Sequence, residues 1–214
     1  MSSYLTLARD VEVETEVKRS RFLATLVRVP DEAAARAVVD RLRRVHHDAR
    51  HHCSAFVVGP PPSPVERASD DGEPAGTAGA PMLEVLRGAA GGAGVSDVVA
   101  VVTRWFGGTL LGAGGLVRAY GDAVRAGLDL AGTRRRSLVR EHVLVVDHAD
   151  AGRVETELRG RGVAVLATSY ADRATLLLGV PPEGEGRLHA LVAELTGGRG
   201  ETSAAGERWV DAPD

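Results

Sequence analysis

The chain has 214 residues, of which 44% are hydrophobic and 26% charged, a composition typical of a soluble globular protein with one large domain or two small ones. The formal net charge of −3 provides no overall attraction to nucleic acid, although residues 1–137 carry +2 and residues 138–214 carry −5. A single cysteine, Cys53, excludes an intrachain disulfide and a cysteine-cluster zinc site. With no apolar run of membrane-spanning length and no secretory signal, we expect a cytoplasmic protein without membrane association.

The first third of the chain predicts three strands and a helix. Alternating apolar residues predict adjacent strands at 11–17 and 21–29, and a further strand at 51–59. Between them, Asp31 is placed to cap a helix that runs to about His46. The apolar face predicted for this helix consists of Ala34, Val38, Val39, Leu42 and Val45.

The middle of the chain predicts a long loop, a helix, a buried strand and a second helix. Residues 60–79 have no apolar period and indicate a loop, after which Pro81 starts a helix that ends at glycines near residue 92. Residues 98–103, VVAVVT, are typical of a central buried strand. One face of the helix that follows the next glycines is marked by Leu116, Val117, Tyr120, Val124 and Leu128.

The last third of the chain predicts a domain of its own. Residues 132–137, GTRRRS, indicate a polar break and a domain boundary, which gives domains at 1–135 and 138–210. After the break the predicted order is β-α-β-β-α-β, with strands near 138–146, 163–170, 173–180 and 206–210. This order is the split-βαβ or ferredoxin-like plan, so the fold class is α+β.

The segment Val101–Tyr120 concentrates glycines between a strand and a helix. Exposed amides, the helix dipole and the guanidinium of Arg118 converge there, as an anion such as phosphate favours. The segment matches neither a P-loop nor a dinucleotide-binding fingerprint, which leaves a generic anion site. Alternatively, the glycines only let two backbones pack closely. Arg104 ends the buried strand, where a charge needs a partner or access to solvent.

Two other segments carry candidate chemistry. In residues 69–79, SDDGEPAGTAG, the carboxylates of Asp70, Asp71 and Glu73 could hold Mg²⁺ or act in acid–base catalysis. The alternative is a solvated turn in which Asp71-Gly72 supplies positive φ and Asp70 caps locally. His47 and His51 stand four residues apart, but Asp48 replaces the glutamate of an HExxH zinc motif, so we do not expect zinc. Cys53 could act as a thiolate nucleophile only if a histidine folds over it, and it is more typical of a small buried side chain.

With these segments in view, the chain resembles the IMPACT/YigZ family. The resemblance covers nearly the whole chain and rests on KRSRF (18–22), HHC (51–53), SDDGEPAGTAG (69–79), VAVVTRWFGG (99–108) and LGAGGLVRAYGDA (111–123). It implies an N-terminal domain with the α+β fold of the fourth domain of elongation factor G, and a ferredoxin-like C-terminal domain. Eukaryotic relatives are associated with translational control, through proteins that activate a starvation-sensing kinase. They carry an additional N-terminal domain that this sequence lacks, so we do not expect that partnership here.

Four positions depart from the family pattern that the resemblance implies. Trp105 stands where relatives have tyrosine, which keeps an aromatic ring but loses a hydroxyl. Ala75 and Ala113 replace hydroxyl-bearing residues, and Leu110 stands where relatives often have lysine. Each change removes a donor from an anion site, whereas the backbone amides, Arg104 and Arg118 remain.

The sequence therefore favours a non-catalytic binding module over an enzyme. We expect it to bind RNA, the ribosome or a translation-associated protein in translation regulation or stress, without metal or cofactor. The alternative is a phosphate-ester or nucleotide hydrolase that uses Asp70, Asp71 and Glu73. The residues predicted to bind an anion or nucleic acid are Arg21, Arg104, Trp105, Gly107, Gly108, Gly112, Gly114, Gly115 and Arg118.

Overall fold

The computed structural model describes residues 2–212 and divides into two compact units, the first ending at Arg135 and the second beginning at Arg136. The strands of the first unit are β1 (Ser3–Leu7), β2 (Val11–Val17), β3 (Ser20–Arg28), β4 (His51–Val58), β5 (Val65–Ser69) and β6 (Val98–Trp105). Its helices are α1 (Glu32–Val45), α2 (Gly79–Gly92) and α3 (Ala113–Ala131). None of the helices within the described residues is long and apolar enough to span a membrane.

The first unit is built on an antiparallel sheet with the strand order β2-β3-β6-β4-β5. Strand β6 lies at its centre and is buried on both faces, which explains its unbroken run of β-branched residues. Val98, Ala100 and Val102 pack into the core beneath α2 and α3. Val99 and Val101 point to the opposite face, where α1 covers them.

The helices of the first unit begin and pack largely as predicted. Asp31 caps α1 by accepting a 2.7 Å hydrogen bond from the backbone N–H of Ala34. The predicted apolar faces of α1 and α3 are each wrong at one position, since Val45 of α1 is 59% exposed and Val117 of α3 is 41% exposed. Val45 is the last residue of α1.

The prediction of a structureless loop at 60–79 is wrong, because strand β5 forms within it. Its sequence, VERAS, has no apolar alternation because β5 is an edge strand that is mostly exposed and pairs only with β4 in this sheet. Helix α2 starts two residues before Pro81, which lies in its first turn, and its helical geometry breaks at Ala89–Gly91.

The second unit confirms the α+β class and the ferredoxin-like plan. Its elements are β7 (Thr133–Val146), α4 (His148–Gly160), β8 (Ala164–Tyr170), β9 (Ala174–Val180), a 3₁₀ turn (Pro182–Gly184), α5 (Glu185–Thr196) and β10 (Glu201–Asp211). Within this unit the antiparallel strand order is β10-β7-β9-β8. Apolar residues of these strands form one core with α4 and α5.

The prediction of a polar break at 132–137 is wrong as secondary structure, because most of these residues form a strand. Gly132 alone ends α3, with φ +63°, and strand β7 already begins at the next residue. The polar arginines belong to this strand, and Arg136 pairs in register with Asp211 of β10. Sequence analysis did not predict the start of this strand, because its charged residues do not alternate with apolar ones.

Candidate functional site

Four connections of the first unit meet at one end of its sheet. The strand register places Arg21 opposite Trp105 and His51 opposite Arg104, so the start of β3, the end of β6 and the start of β4 share this end. We call this region the loop end. It consists of the β2–β3 turn (18–19), the α1–β4 connection (46–50), the β5–α2 loop (70–78) and the β6–α3 loop (106–112).

Gly107 joins two of these connections by close backbone contact. A Cβ at this position would lie 2.0 Å from the backbone carbon of Arg19, a distance that no side chain can occupy. The Gly107 N–H also donates to the hydroxyl of Ser20 at 3.1 Å. The β6–α3 loop is therefore seated on the β2–β3 turn, and at this residue the glycine serves close packing.

The other glycines of the predicted anion site shape the start of α3. Gly108 and Gly112 adopt φ of +87° and +72°, which favour glycine, whereas a Cβ on Gly114 would meet open space. Gly115 lies against the side chain of Leu111. Helix α3 begins at Ala113 without a side-chain cap. The partial positive charge of its N-terminus therefore lies at the loop end without a carboxylate or hydroxyl of its own cap.

Apolar side chains protrude from the β6–α3 loop. Leu110 is 83% exposed and Phe106 is 47% exposed. The ring of Phe106 lies 5.8 Å from the guanidinium carbon of Arg104. Exposed apolar side chains on a glycine-rich loop contribute little to folding, because they bury little apolar surface.

Trp105 anchors a polar cluster on the face of the sheet that carries α1. Its indole N–H donates to Asp48 at 2.9 Å, and this hydrogen bond holds the pKa of the Asp48 carboxyl below its usual value. The guanidinium carbon of Arg21 lies 4.7 Å from the centre of the indole ring, and the ring of His46 lies 5.4 Å from it. Arg21 also forms a 2.7 Å ion pair with Glu14.

Arg104 lies on the opposite face and is only 6% exposed. Its guanidinium donates to Glu73 at 2.5 Å, and the hydroxyl of Tyr120 donates to the same carboxylate oxygen at 2.8 Å. Because neighbouring strand residues alternate between faces, Arg104 does not share a surface with Trp105 or with Arg21. The predicted need of this charge for a partner is met by Glu73, inside the protein.

The three acidic residues of the predicted catalytic alternative hold the β5–α2 loop in place. Asp70 accepts hydrogen bonds from the N–H groups of Gly76, Ala78 and Gly79 at 2.8–3.0 Å. Burial opposes ionisation of Asp70, but these three donors together hold its pKa below the usual value. Asp71, at φ +43°, pairs with Arg43 at 2.7 Å. These contacts agree with the alternative in which Asp71-Gly72 supplies positive φ and Asp70 caps locally, although the turn is half-buried and not fully solvated.

The histidine and cysteine tract is largely internal. Cys53 is fully buried, with its thiol 2.9 Å from the carbonyl oxygen of Asp70, and burial raises the pKa of that thiol to about 12. His52 is 5% exposed, and burial lowers its pKa despite the nearby Asp71. In the part of the chain that the structure describes, no group of three or more His, Cys, Asp or Glu side chains is placed to hold a metal ion.

Sequence reasoning missed four cations on the β2–β3 turn and on the basic segment that ends α1 and leads into β4. Lys18, Arg19, Arg44 and Arg50 are exposed, and no carboxylate within residues 2–212 lies within ion-pair distance of them. Arg19 reaches only the hydroxyl of Thr109, at 3.5 Å. The signal was the run RLRRVHHDAR at 41–50, which sequence analysis treated as a histidine tract and not as a basic segment.

Arg118 is exposed on the second turn of α3, where it lines an open groove of about 1150 Å³ between α2 and α3. Gly114, Val117 and Gly121 line the same groove. Arg118 therefore lies beside the helix N-terminus but faces the groove. No carboxylate among the described residues is paired with it.

Two family models match the chain. The Impact N-terminal domain matches residues 18–128, which include the whole loop end, and a domain of unknown function, DUF1949, matches residues 144–199 of the second unit. The protein belongs to the IMPACT family. Its relatives include the IMPACT family member YvyE of Bacillus subtilis, which is 37% identical over 94% of this chain and 90% of its own.

Other IMPACT family members agree over similar lengths. The member YigZ of Escherichia coli is 38% identical, with 92% of this chain and 96% of that protein covered. A solved structure described as the crystal structure of an hypothetical protein is 38% identical, has a TM-score of 0.67 and covers 96% of this chain and 98% of its own. These descriptions name no ligand or reaction, so the function of this IMPACT family protein is argued from its geometry.

Proposed function

We propose that this protein is a non-catalytic RNA-binding module of translation regulation, which holds free or ribosomal RNA at the loop end of its first unit. The observation that carries the proposal is the exposed ring of Phe106 on a loop that packs against the β2–β3 turn, together with cations on that turn and near the end of α1 that have no carboxylate partner among residues 2–212. Lys18, Arg19, Arg44 and Arg50 supply positive charge, and Phe106 supplies an exposed ring. Phosphate contacts combined with base stacking are the general means by which proteins hold RNA without catalysis.

The pairing of the surface charges supports this location. Elsewhere on the first unit, several exposed arginines have carboxylate partners, as in the pairs Arg36–Glu32 and Arg87–Glu66, whereas others such as Arg41 and Arg118 have none among residues 2–212. At the loop end and in the adjoining last turn of α1, Lys18, Arg19 and Arg44 have none among residues 2–212. Unpaired cations attract phosphate because binding releases the counterions condensed on RNA. The net charge of −3 does not oppose this attraction, since the cations are concentrated locally.

The uncapped N-terminus of α3 adds backbone donors to the same region. Gly112, Ala113 and Gly114 are exposed, so phosphate oxygens can approach their amides without a side chain in between. Gly107 packs the loop that precedes these amides against the backbone of Arg19. The glycines of the predicted site therefore act through backbone shape and not through side-chain chemistry.

The buried residues of the loop end support this surface and do not contact the ligand in our proposal. Arg104 and Glu73 neutralise each other and tie the β5–α2 loop to strand β6. The carboxylates of Asp70 and Asp71 are likewise engaged in hydrogen bonds and an ion pair. Because the predicted catalytic carboxylates have these internal roles, we propose no hydrolase activity.

The test measures the affinity of the full chain for a fluorescently labelled 12-nucleotide RNA by anisotropy at several salt concentrations. We expect the affinity to fall steeply as salt rises, and Arg44→Glu to weaken binding and reduce the salt dependence. Arg36→Glu, on the same helix but paired with Glu32, is the matched control and should bind as the wild type does. An absence of binding, or an equal loss in both variants, would contradict the proposal.

A further inference from the structure

We infer that the loop end selects single-stranded over double-stranded RNA, with Phe106 as the residue that determines the selectivity. This inference rests on the proposed RNA binding and specifies the class of RNA. Its basis is an exposed ring on the β6–α3 loop, which packs against the β2–β3 turn that carries Lys18 and Arg19, two cations with no carboxylate partner among residues 2–212. Phe106 is 47% exposed, and Leu110 of the same loop is 83% exposed.

The position of Phe106 is fixed by its neighbours on both sides in the chain. Arg104, two residues before it, is buried and paired with Glu73. Gly107, directly after it, packs its backbone against Arg19 without room for a Cβ. Because the chain is held at both points, the ring cannot withdraw into the core without moving the loop. Phe106 is therefore a rigid apolar contact whose exposure is maintained by the fold.

Whether the RNA is single- or double-stranded determines whether an exposed aromatic ring can contribute to binding. In a duplex the faces of the bases are stacked on one another, and the surface offers phosphates and 2′-hydroxyls. An apolar ring gains little against those polar groups. In a single strand the base faces are accessible and stack on aromatic side chains regardless of sequence. Phe106 and Leu110 can therefore contribute to binding a single strand but not a duplex.

The cations play a different part in this selectivity. Lys18, Arg19, Arg44 and Arg50 meet phosphates, which both forms of RNA present. They raise the affinity for each form, whereas the apolar loop adds affinity for the single strand alone. We therefore expect the ratio of the duplex Kd to the single-strand Kd to depend on Phe106 and not on Arg44.

The experiment compares a labelled 12-nucleotide RNA without self-complementarity, alone and annealed to its complement, by anisotropy with the full chain. We expect the wild type to bind the single strand at least tenfold more tightly. Phe106→Ala should reduce the ratio of the two Kd values about tenfold, the size expected from the loss of one stacked base. Phe106→Trp should retain the ratio, and Arg44→Glu should weaken both complexes and leave the ratio unchanged.

The matched control is Tyr170→Ala, which removes a 63% exposed aromatic ring from the second unit and should not alter either Kd. Equal affinity of the wild type for the two RNAs, or an unchanged ratio in Phe106→Ala, would overturn the selectivity while RNA binding itself stood. Binding to neither RNA would overturn the proposed function and the selectivity together. Unchanged thermal unfolding of each variant establishes that the loop change is local.

Discussion

The guanidinium of Arg104 lies 2.5 Å from the carboxylate of Glu73, and only 7% and 4% of the two side chains are exposed. The pair connects the end of the central strand to the β5–α2 loop, 31 positions earlier in the chain. The hydroxyl of Tyr120 donates to the same carboxylate, so α3 is joined to the contact as well. The loop end is organised around this internal pair.

Removal of one member of the pair should strongly destabilise the protein. Glu73→Gln leaves the buried guanidinium of Arg104 without a counter-charge, so we expect the free energy of unfolding in urea to fall by about 3–5 kcal/mol. The matched control is Glu14→Gln, which breaks the exposed ion pair with Arg21 and should cost about 1 kcal/mol or less. Equal costs for the two substitutions would contradict the role given to the buried pair.

The stability contributed by Asp70 should disappear in acid. Its folded pKa lies below the unfolded value, so its contribution is present above the unfolded pKa and is lost as pH falls through the folded pKa. Asp70→Asn should therefore lower the free energy of unfolding by about 1–3 kcal/mol at pH 7, because the side-chain NH₂ of asparagine would face a backbone N–H donor that the carboxylate now accepts from. We expect the difference from wild type in urea unfolding to shrink below about pH 4.

The control for Asp70 is Asp40→Asn, since Asp40 is exposed and lies 3.9 Å from Arg43. Its effect on unfolding should be small at every pH. A constant difference between wild type and Asp70→Asn from pH 7 to pH 3 would show that the ionised carboxylate is not what holds the loop.

A single methyl group should distinguish the structural glycines of the loop end. Gly107→Ala places a Cβ against the backbone of Arg19, so the loop must move away from the turn. We expect the free energy of unfolding to fall by about 1–3 kcal/mol and the affinity for RNA to fall as well. Gly114→Ala adds the same methyl group in open space on α3 and should change stability by less than about 1 kcal/mol. Chemical denaturation and the anisotropy assay measure both effects. Wild-type stability in Gly107→Ala would contradict the close packing described.

The thiol of Cys53 should be inert in the folded protein. It is fully buried, and its pKa is raised to about 12, so the nucleophilic thiolate is scarce at pH 8. A disulfide reagent that reports released thiolate should label Cys53 only as fast as the protein unfolds, and at once in urea. Rapid labelling of the native chain would show that the thiol reaches solvent and contradict its burial.

Local pattern predicted most of this fold. Strands β2, β3, β4 and β6 follow from apolar alternation or continuous apolar runs, and the ferredoxin-like order follows from simple periodicity in the last third. Strand β5 was missed because an exposed edge strand needs no apolar face. The arginines at the start of β7 indicated a break for a similar reason, since nothing apolar marked the strand.

The candidate site was predicted only in part, because its contacts join distant segments. The acidic loop contacts the glycine-rich segment through the pair of Arg104 with Glu73. Sequence analysis did not identify Glu73 as the partner, because only the strand register of the folded chain shows which residues lie together. Alternation along β6 sends Trp105 and Arg104 to opposite faces, so residues adjacent in sequence do not share a surface. The basic segment that ends α1 becomes part of the site only because α1 ends beside Trp105.

The measurement that tests the central claim most directly is an NMR titration of the ¹⁵N-labelled protein with the single-stranded 12-nucleotide RNA. The account predicts the largest amide shift changes on Gly107, Gly108 and Gly112 of the loop end and on Gly114 and Gly115 in the first turn of α3, with Arg19 and Arg44 also affected. Gly152 and Gly186 in the second unit serve as internal controls and should not move. Changes centred on the second unit, or none at saturating RNA, would contradict the assignment of the loop end as an RNA-binding surface.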